Sequence, residues 1–584
     1  MIKRFAITAV AMLALNAAAS AQTIYPIDRA EILAGSRFDF KVEFSGEVDP
    51  AAVKVTVNGQ EPASAFGRAA DFIAREDGKP QSALLLRDVA LGKPGRYVIE
   101  ASAGTERRSV SWNVYDTGPR KAKNVVLFIG DGMSPAHRVA ARLLSKGISE
   151  GKSGGKLAID DMPQMALVAT AGTDSIITDS ANAASAYTTG HKAAVNALGV
   201  YADRSASPFD DPKVETIASL AKRKLDVSIG IVTNTEIEDA TPAAVIAHTR
   251  RRGVYDQIVA QYFAAKPEVL MGGGAANFWP KSAAGSKRKD DADYVAKFRD
   301  AGYGIATTAG ELTALAAKSD TQKLLGLFAA GNMDGVLDRK FLKGGGVAKN
   351  PEQPDLTEQV AAALAILSKN DNGFFLMVES GMIDKYAHML DMERAVYDTI
   401  MLDNAVAQTR AWAKARGDDT LILVLADHNH PNALVGTIND DMTTEPNVAL
   451  RERVGVYDKA GFPNYPAPDA EGYPARVDVS RRLAIFSASL PDHYETFRPK
   501  LDGPNQPTEQ ADAGTFKANE KYKNVPGAVL RFGNLPAMMN ASVHSGEDVI
   551  LTATGPGSDQ VHGSMDNTEV FRVMAEALGL GAKD

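Results

Sequence analysis

Four continuous apolar runs constrain this chain more than any other feature: NVVLFIG (124–130), VSIGIV (227–232), FFLMV (374–378) and LILVL (421–425). A strand with one solvated face alternates apolar and polar residues. A run that does not alternate belongs to a strand covered on both faces, as in a parallel sheet. Helical patterns at 214–224 and 358–369 separate the runs, which is the layering of an α/β fold. A mostly parallel sheet flanked by helices is therefore expected for the larger part of the chain.

Residues 22–117 have another texture. RFDFKVEF (37–44) alternates strictly, with Phe38, Phe40, Val42 and Phe44 on one face. VKVTVNGQ repeats the alternation and ends in an Asn58-Gly59 turn, and GRYVIEASAG and SVSWNVYD add two more strands. Short alternating strands in roughly a hundred residues suggest a small immunoglobulin-like β-sandwich, with DTGPRKAK (116–123) as the linker. Residues 118–584 then form the larger domain. Within it, 431–535 is rich in Pro, Gly, Asn and Asp and reads as a loop-rich insertion that returns to the core near NASVHSGEDVILTATG. A chain of 584 residues exceeds one compact core, in keeping with at least two domains.

The first 21 residues read as a cleavable signal peptide. Lys3 and Arg4 precede a short apolar stretch, and Ala19-Ser20-Ala21 fits the small-x-small cleavage rule. The apolar stretch is too short to span a bilayer, so no membrane span is expected and the mature protein should be periplasmic or secreted. The chain has no cysteine, which removes disulfides and thiolate chemistry and leaves His, Asp, Glu and hydroxyls for any metal site. A net charge of -8 argues against nucleic acid as a main partner.

Chemistry-bearing residues follow each apolar run. Asp131 follows the first, in IGDGMS; TNTEIEDATP, with Asp239 and Thr241, follows the second. Glu379 follows the third, in VESGMIDKYAH, and Asp427, His428 and His430 follow the fourth, in ADHNH. Sites in open α/β sheets form beyond the carboxyl ends of the strands, so these segments can converge. Asp384 and His388 are four apart, on one face of a helix. Asp and His together suit Zn2+; carboxylates with a hydroxyl suit Mg2+. In TDSANAASAYTTGHK (178–192), Asp179 or a neighbour can cap a helix starting at Ser180, and Gly190 can end it. Ser180 would then face the positive end of a helix dipole.

Together these motifs resemble the alkaline phosphatase family from about residue 124 to 580. NVVLFIGDGM, TDSANAASAYTTGHKA, EDATPAAVIAHTRRR, VESGMIDKYAH, LADHNH and VHSGED carry the resemblance in order. It implies an alkaline-phosphatase-like α/β fold and hydrolysis of small phosphate monoesters through a phosphoserine, with two Zn2+ and one Mg2+. Asp384, His388 and His544 would bind the first Zn2+. Asp131, Asp427 and His428 would bind the second, and Asp131, Thr241 and Glu379 the Mg2+. Ser180 would be the nucleophile and Arg252 the phosphate clamp. Asp239, Lys385 and His430 would support the ligands. Asn182 stands where the family commonly has a small residue, so it is a candidate substrate contact. His137, His191, His248 and His493 are assigned no catalytic role. A homodimer is compatible with the resemblance.

Two other functions fit parts of the sequence. One is a phosphodiesterase on the same scaffold; the other is a secreted binding protein whose sandwich carries the function. Arg252 favours monoesters over diesters, because its fork can hold two free phosphate oxygens. Sulfatase chemistry is disfavoured, since no C/S-x-P-x-R pattern is found.

Overall fold

The computed structural model describes residues 22–344, 347, 350–442 and 448–581. The signal-peptide segment lies outside these residues. Among them, no helix is long and apolar enough to cross a membrane.

All four apolar runs lie in one ten-stranded sheet. From edge to edge it runs Gly304–Ala306, Leu324–Leu327, Val269–Gly273, Ser228–Glu236, Phe374–Ser380, Asn124–Gly130, Thr420–Leu425, Val549–Thr554, Gln164–Ala169 and His562–Asp566. Every residue of Asn124–Gly130, Phe374–Ser380 and Thr420–Leu425 is buried, as expected of strands covered on both faces. Nine strands run one way. Only Val549–Thr554 is antiparallel to both its neighbours. Its start therefore lies at the edge where the other strands end. That is why the VHSGED segment precedes its strand while the other motifs follow theirs.

The sequence-derived elements fall where expected. The pattern at 214–224 becomes the helix Ile217–Leu225 and that at 358–369 the helix Leu356–Leu367. Asp179 accepts from the Asn182 N–H at the start of the helix Ser180–Thr189, and Gly190 closes it with φ +74. All ten residues of that helix are buried. A Cβ on Gly190 would come within 2.7 Å of the Phe571 ring, so only glycine allows the helix Asn567–Leu578 to pack there. In the 431–535 region a three-stranded sheet of Asn432–Asn439, Val454–Gly455 and Arg481–Ser487 covers a small core of Ile438, Leu450, Ala484 and Phe497.

The N-terminal region forms two four-stranded sheets. Trp112 of one sheet meets Phe38 and Phe40 of the other edge-on, at 5.7 and 5.9 Å between centroids. Its Nε1 donates to the Pro26 carbonyl at 3.0 Å. The sandwich does not complete this core alone. Tyr201 and Val214, from the middle of the larger domain, belong to it. Tyr201 packs against Tyr25, and its hydroxyl pairs with His191 Nδ1 at 2.7 Å. Val214 bridges to Phe38 in antiparallel fashion.

A shared core should melt as one unit. Tyr201→Ala is expected to lower stability by about 3 kcal/mol. Calorimetry should show a single transition moved to lower temperature. Two resolved transitions, with only one displaced, would mean that the sandwich folds independently.

Candidate metal-dependent active site

The motifs converge at the carboxyl edge of the sheet, and the chain's local chemistry sets each side chain. Asp131 directly follows its strand, and the next residue, Gly132, has a φ of +64. The Gly132 N–H donates to Asp427 Oδ1 at 3.0 Å. A Cβ on Gly132 would stand 2.6 Å from the His430 ring and 3.2 Å from Asp384 Oδ1, so the glycine of the GDG turn lets these segments approach one another. Asp384 and His388 lie on the helix Met382–His388. Asn234 holds the start of that helix: its Oδ1 accepts from the Gly381 and Met382 N–H groups at 2.8 and 3.2 Å. Its amide nitrogen donates to Asp398 at 3.1 Å.

Two triangles of ligand atoms result. In the first, His388 Nε2 is 3.2 Å from Asp384 Oδ1, His544 Nε2 is 3.2 Å from His388 Nε2, and His544 Nε2 is 3.6 Å from Asp384 Oδ1. In the second, His428 Nε2 is 3.2 Å from Asp131 Oδ1 and 3.3 Å from Asp427 Oδ2. Ser180 Oγ lies 3.2 Å from the same nitrogen. Bonds of about 2.0–2.1 Å to a tetrahedral ion put neighbouring ligand atoms about 3.3–3.4 Å apart, close to the 3.2–3.6 Å of the first triangle and to the two separations from His428 in the second. His430 Nε2 is also near Asp384 Oδ1, but at 2.7 Å, a hydrogen-bond length too short for two ligands of one such ion. His430 therefore donates to the carboxylate and fixes it.

Hydrogen bonds set the ring nitrogens. His388 Nδ1 faces the Ser542 carbonyl at 2.6 Å, and His544 Nδ1 faces that of Thr178 at 2.9 Å. A carbonyl only accepts, so each Nδ1 carries a proton and each Nε2 is turned into the site. Burial pushes His388 down to about 4, keeping it neutral and ready to ligate. His428 lacks a hydrogen-bond partner at Nδ1 among the described residues.

Buried oxygens in the site also lack hydrogen-bond partners among the described residues: Asp131 Oδ1, Asp427 Oδ2 and Thr241 Oγ1. Burial, then the charges of Asp384 and Asp427, raise Asp131 well above the usual carboxylate range. Glu379 is raised to about 7, first by burial; the Thr233 hydroxyl that donates to it acts the other way, and Asp239 raises it further. A donor set of oxygens and imidazoles with unsatisfied, crowded carboxylates fits divalent cations. Asp131, Thr241 and Glu379 supply only oxygen, the preference of Mg2+.

Of the three consecutive arginines, Arg252 reaches this edge. Its guanidinium pairs with Asp239 Oδ1 at 2.7 Å and Asp179 Oδ2 at 3.3 Å. Lys385 Nζ meets the other Asp239 oxygen at 2.8 Å. Burial works to raise Asp239, but Lys385 and Arg252 outweigh it and hold the carboxyl far below its ordinary value. Arg250 turns away to other partners, and Arg251 is exposed.

Asn182 is occupied within its own helix turn. Its side-chain oxygen accepts from the Thr178 hydroxyl at 2.7 Å and the Asp179 N–H at 2.9 Å, completing a reciprocal cap with Asp179. Its amide nitrogen reaches the Ala193 carbonyl at 3.5 Å. These contacts are structural ones. The residues that sequence reasoning passed over are Gly132, Asn234 and the threonines holding Glu379. Thr233 donates to Glu379 Oε2, and Thr235 does so at 3.1 Å. The signal for the last three was the polar TNT stretch ending an otherwise apolar strand.

The alkaline phosphatase family model matches residues 122–580. Alkaline phosphatase of Escherichia coli K12 is 33% identical over 498 residues, covering 79% of this chain and 87% of that protein. The tissue-nonspecific isozyme of Gallus gallus is 30% identical over 502 residues, covering 79% and 85%. Among solved structures, the Thermus thermophilus alkaline phosphatase superposes with a TM-score of 0.55 at 25% identity, covering 80% of this chain and 93% of that one. Matched over most of its length in sequence and in fold, the chain belongs to the alkaline phosphatase family of metal-dependent hydrolases.

Proposed function

We propose that the protein is an exported phosphomonoesterase. It transfers the phosphoryl group of small phosphate monoesters to Ser180 and then to water, with two Zn2+ and one Mg2+ as resident cofactors. The observation that carries this reading is the position of Ser180 Oγ. It sits at the first turn of a buried helix, 3.2 Å from the His428 nitrogen around which Asp131 and Asp427 gather. Asp384, His388 and His544 would hold one Zn2+, and Asp131, Asp427 and His428 the other. Asp131, Thr241 and Glu379 would hold the Mg2+. When bound, these ions supply Lewis acidity that activates the serine hydroxyl and stabilises charge on the leaving oxygen.

The side chains then position and neutralise. Ser180 Oγ gives up its proton and forms a bond to phosphorus as the bond to the leaving oxygen breaks, and the leaving oxygen takes up one proton in exchange and departs as the alcohol. The helix N-terminus behind Ser180 favours the negative charge of the phosphate. Arg252 carries five N–H donors, so its pairing with Asp179 and Asp239 leaves donors for two non-bridging oxygens. A monoester offers three non-bridging oxygens, two for Arg252 and one for the rest of the site, whereas a diester has only two, which supports a monoester substrate. Water attacking phosphorus opposite Ser180 then breaks the phosphoserine bond, releases phosphate and returns the hydroxyl. Export rests on the N-terminal sequence pattern.

Ser180→Ala is expected to lower aryl phosphate hydrolysis at least about a thousandfold with the circular dichroism spectrum unchanged. Initial rates measure this, and full activity in the Ser180→Ala variant would disprove the nucleophile. Chelation should abolish activity, and Zn2+ together with Mg2+ should restore it. A preference for bis-aryl phosphate over aryl phosphate would favour the diesterase instead.

The Mg2+ site carries its own pH test. With Glu379 raised to about 7, a proton competes with the cation below that pH. Affinity for Mg2+ should therefore rise with pH up to about 7 and level off above it, changing by up to about tenfold per unit on the acid side. Titration calorimetry in two buffers should show proton release on binding; an affinity flat from about pH 5.5 to 8 would exclude Glu379 as a ligand.

A further inference from the structure

The strand Phe38–Phe44 alternates as a half-exposed strand should, yet all seven of its residues are buried. Phe38, Phe40, Val42 and Phe44 face the sandwich core. Asp39, Lys41 and Glu43 are only 3%, 2% and 4% exposed. What covers them is a stretch of the larger domain. Asp39 N–H donates to the Lys213 carbonyl at 2.8 Å, and Lys213 N–H returns a bond to the Asp39 carboxylate at 3.1 Å. Lys41 Nζ sits 2.5 Å from Asp203, 2.6 Å from Glu76 and 3.1 Å from Glu43. These three carboxylates lie close enough together to hold a metal ion, but the ammonium already supplies the cation. Arg204 reaches back to Glu76 at 2.8 Å and to the Ser82 carbonyl at 2.7 Å.

The opposite side of the same stretch carries the phosphate site. Arg250 donates to the Asp203 carbonyl at 3.1 Å, to Asp211 at 3.0 Å and to the Ser205 carbonyl. Leu198 and Thr249 exchange backbone bonds of 2.7 and 3.0 Å. Arg252 N–H donates to the Asn196 carbonyl at 3.0 Å, and Asn196 N–H donates to Asp179 Oδ2 at 3.0 Å. That oxygen is also the one that pairs with the Arg252 guanidinium. A continuous set of ionic and backbone contacts, buried at the sandwich end and exposed at Asn196, therefore runs from the sandwich, through residues 196–215, to the backbone and the fork of Arg252.

We propose that the N-terminal sandwich is a positioning element of the phosphate site, acting through residues 196–215 and Arg250 to hold Arg252 where it grips the substrate phosphate. Arg250 and Lys41 are its positioning residues; neither touches the substrate. This inference rests on Arg252 being the phosphate clamp.

The test uses the full-length, metal-loaded enzyme and four variants: Arg250→Ala, Lys41→Met, Arg252→Ala and the double variant Arg250→Ala/Arg252→Ala. Inhibition by inorganic phosphate and KM and kcat for an aryl phosphate are measured at a temperature where each variant is folded. Arg250→Ala and Lys41→Met should each weaken phosphate inhibition and raise KM about tenfold, with kcat changed far less. In the Arg252→Ala background the further effect of Arg250→Ala should vanish, because a residue that acts through Arg252 has nothing left to act on. Additive losses, or unchanged phosphate inhibition in both Arg250→Ala and Lys41→Met, would overturn the inference. If Arg252→Ala itself leaves phosphate inhibition unchanged, the clamp reading fails and the inference falls with it. Should Arg250→Ala not fold, Arg250→Lys, which keeps the charge but loses the fork, is read by the same criteria.

Discussion

Asp131, Asp384, Asp427 and Glu379 lie together at one edge of the central sheet, all buried, and a carboxylate taken from water without a partner costs several kcal/mol. Most of the surrounding structure answers that cost. Burial works to raise Asp384, but Lys385 and the bond from His430 help outweigh it and hold its carboxyl well below its ordinary value. Lys385 and Arg252 do the same for Asp239. Asp131 and Asp427 gain no comparable cationic side chain among the described residues, and burial with neighbouring charge raises both. Divalent cations are the natural complement of that imbalance, and the family to which the chain belongs is metal-dependent.

Neutralisation alone does not set angles. The ligand atoms meet at separations of 3.2–3.6 Å because their supports are rigid. Backbone carbonyls of Thr178 and Ser542 fix two imidazole tautomers, and each ties a distant segment to the site. The Thr178 carbonyl belongs to the segment that leads into the Ser180 helix, so Ser180 and His544 are oriented by one short piece of chain. Asn182 closes the same turn from within. A small residue at that position would leave Thr178 and the Asp179 N–H without this acceptor. That is a local reason for a polar side chain there and requires no substrate contact.

Much of this was legible in the sequence because the relevant signals are local. Unbroken apolar runs marked the doubly covered strands, and the polar residues just beyond them marked the edge where a site forms. Asp179, Ser180 and Gly190 carried a helix start and stop that the structure reproduces. Gly132, Asn234, Thr233 and Thr235 were harder to see, since their roles depend on segments far away in sequence meeting in space. A glycine in GDG announces a turn; only the structure shows that the turn admits His430 and Asp384. The least legible feature was the outer face of Phe38–Phe44. Asp39, Lys41 and Glu43 look like solvated residues of a half-buried strand, and a periodicity of two cannot distinguish water from a buried set of ionic partners.

That ambiguity bears on what a domain boundary means here. Composition divides the chain near residues 116–123. Packing does not, since Tyr201 and Val214 complete the sandwich core and Lys41 lies within reach of Asp203. Removing one partner of a buried ionic cluster leaves the others uncompensated, at a cost of about 3–5 kcal/mol. The sandwich and residues 196–215 therefore stabilise each other. Residues 196–215 also lie between the helix that carries Ser180 and the segment that carries Arg252, joined to one through Asn196 and Asp179 and to the other through Arg250. An added domain that only tethered the enzyme would be joined by a linker and a small polar interface. One whose contacts are charged, buried at the sandwich end and continuous with Arg252 fits the role of holding that arginine in place.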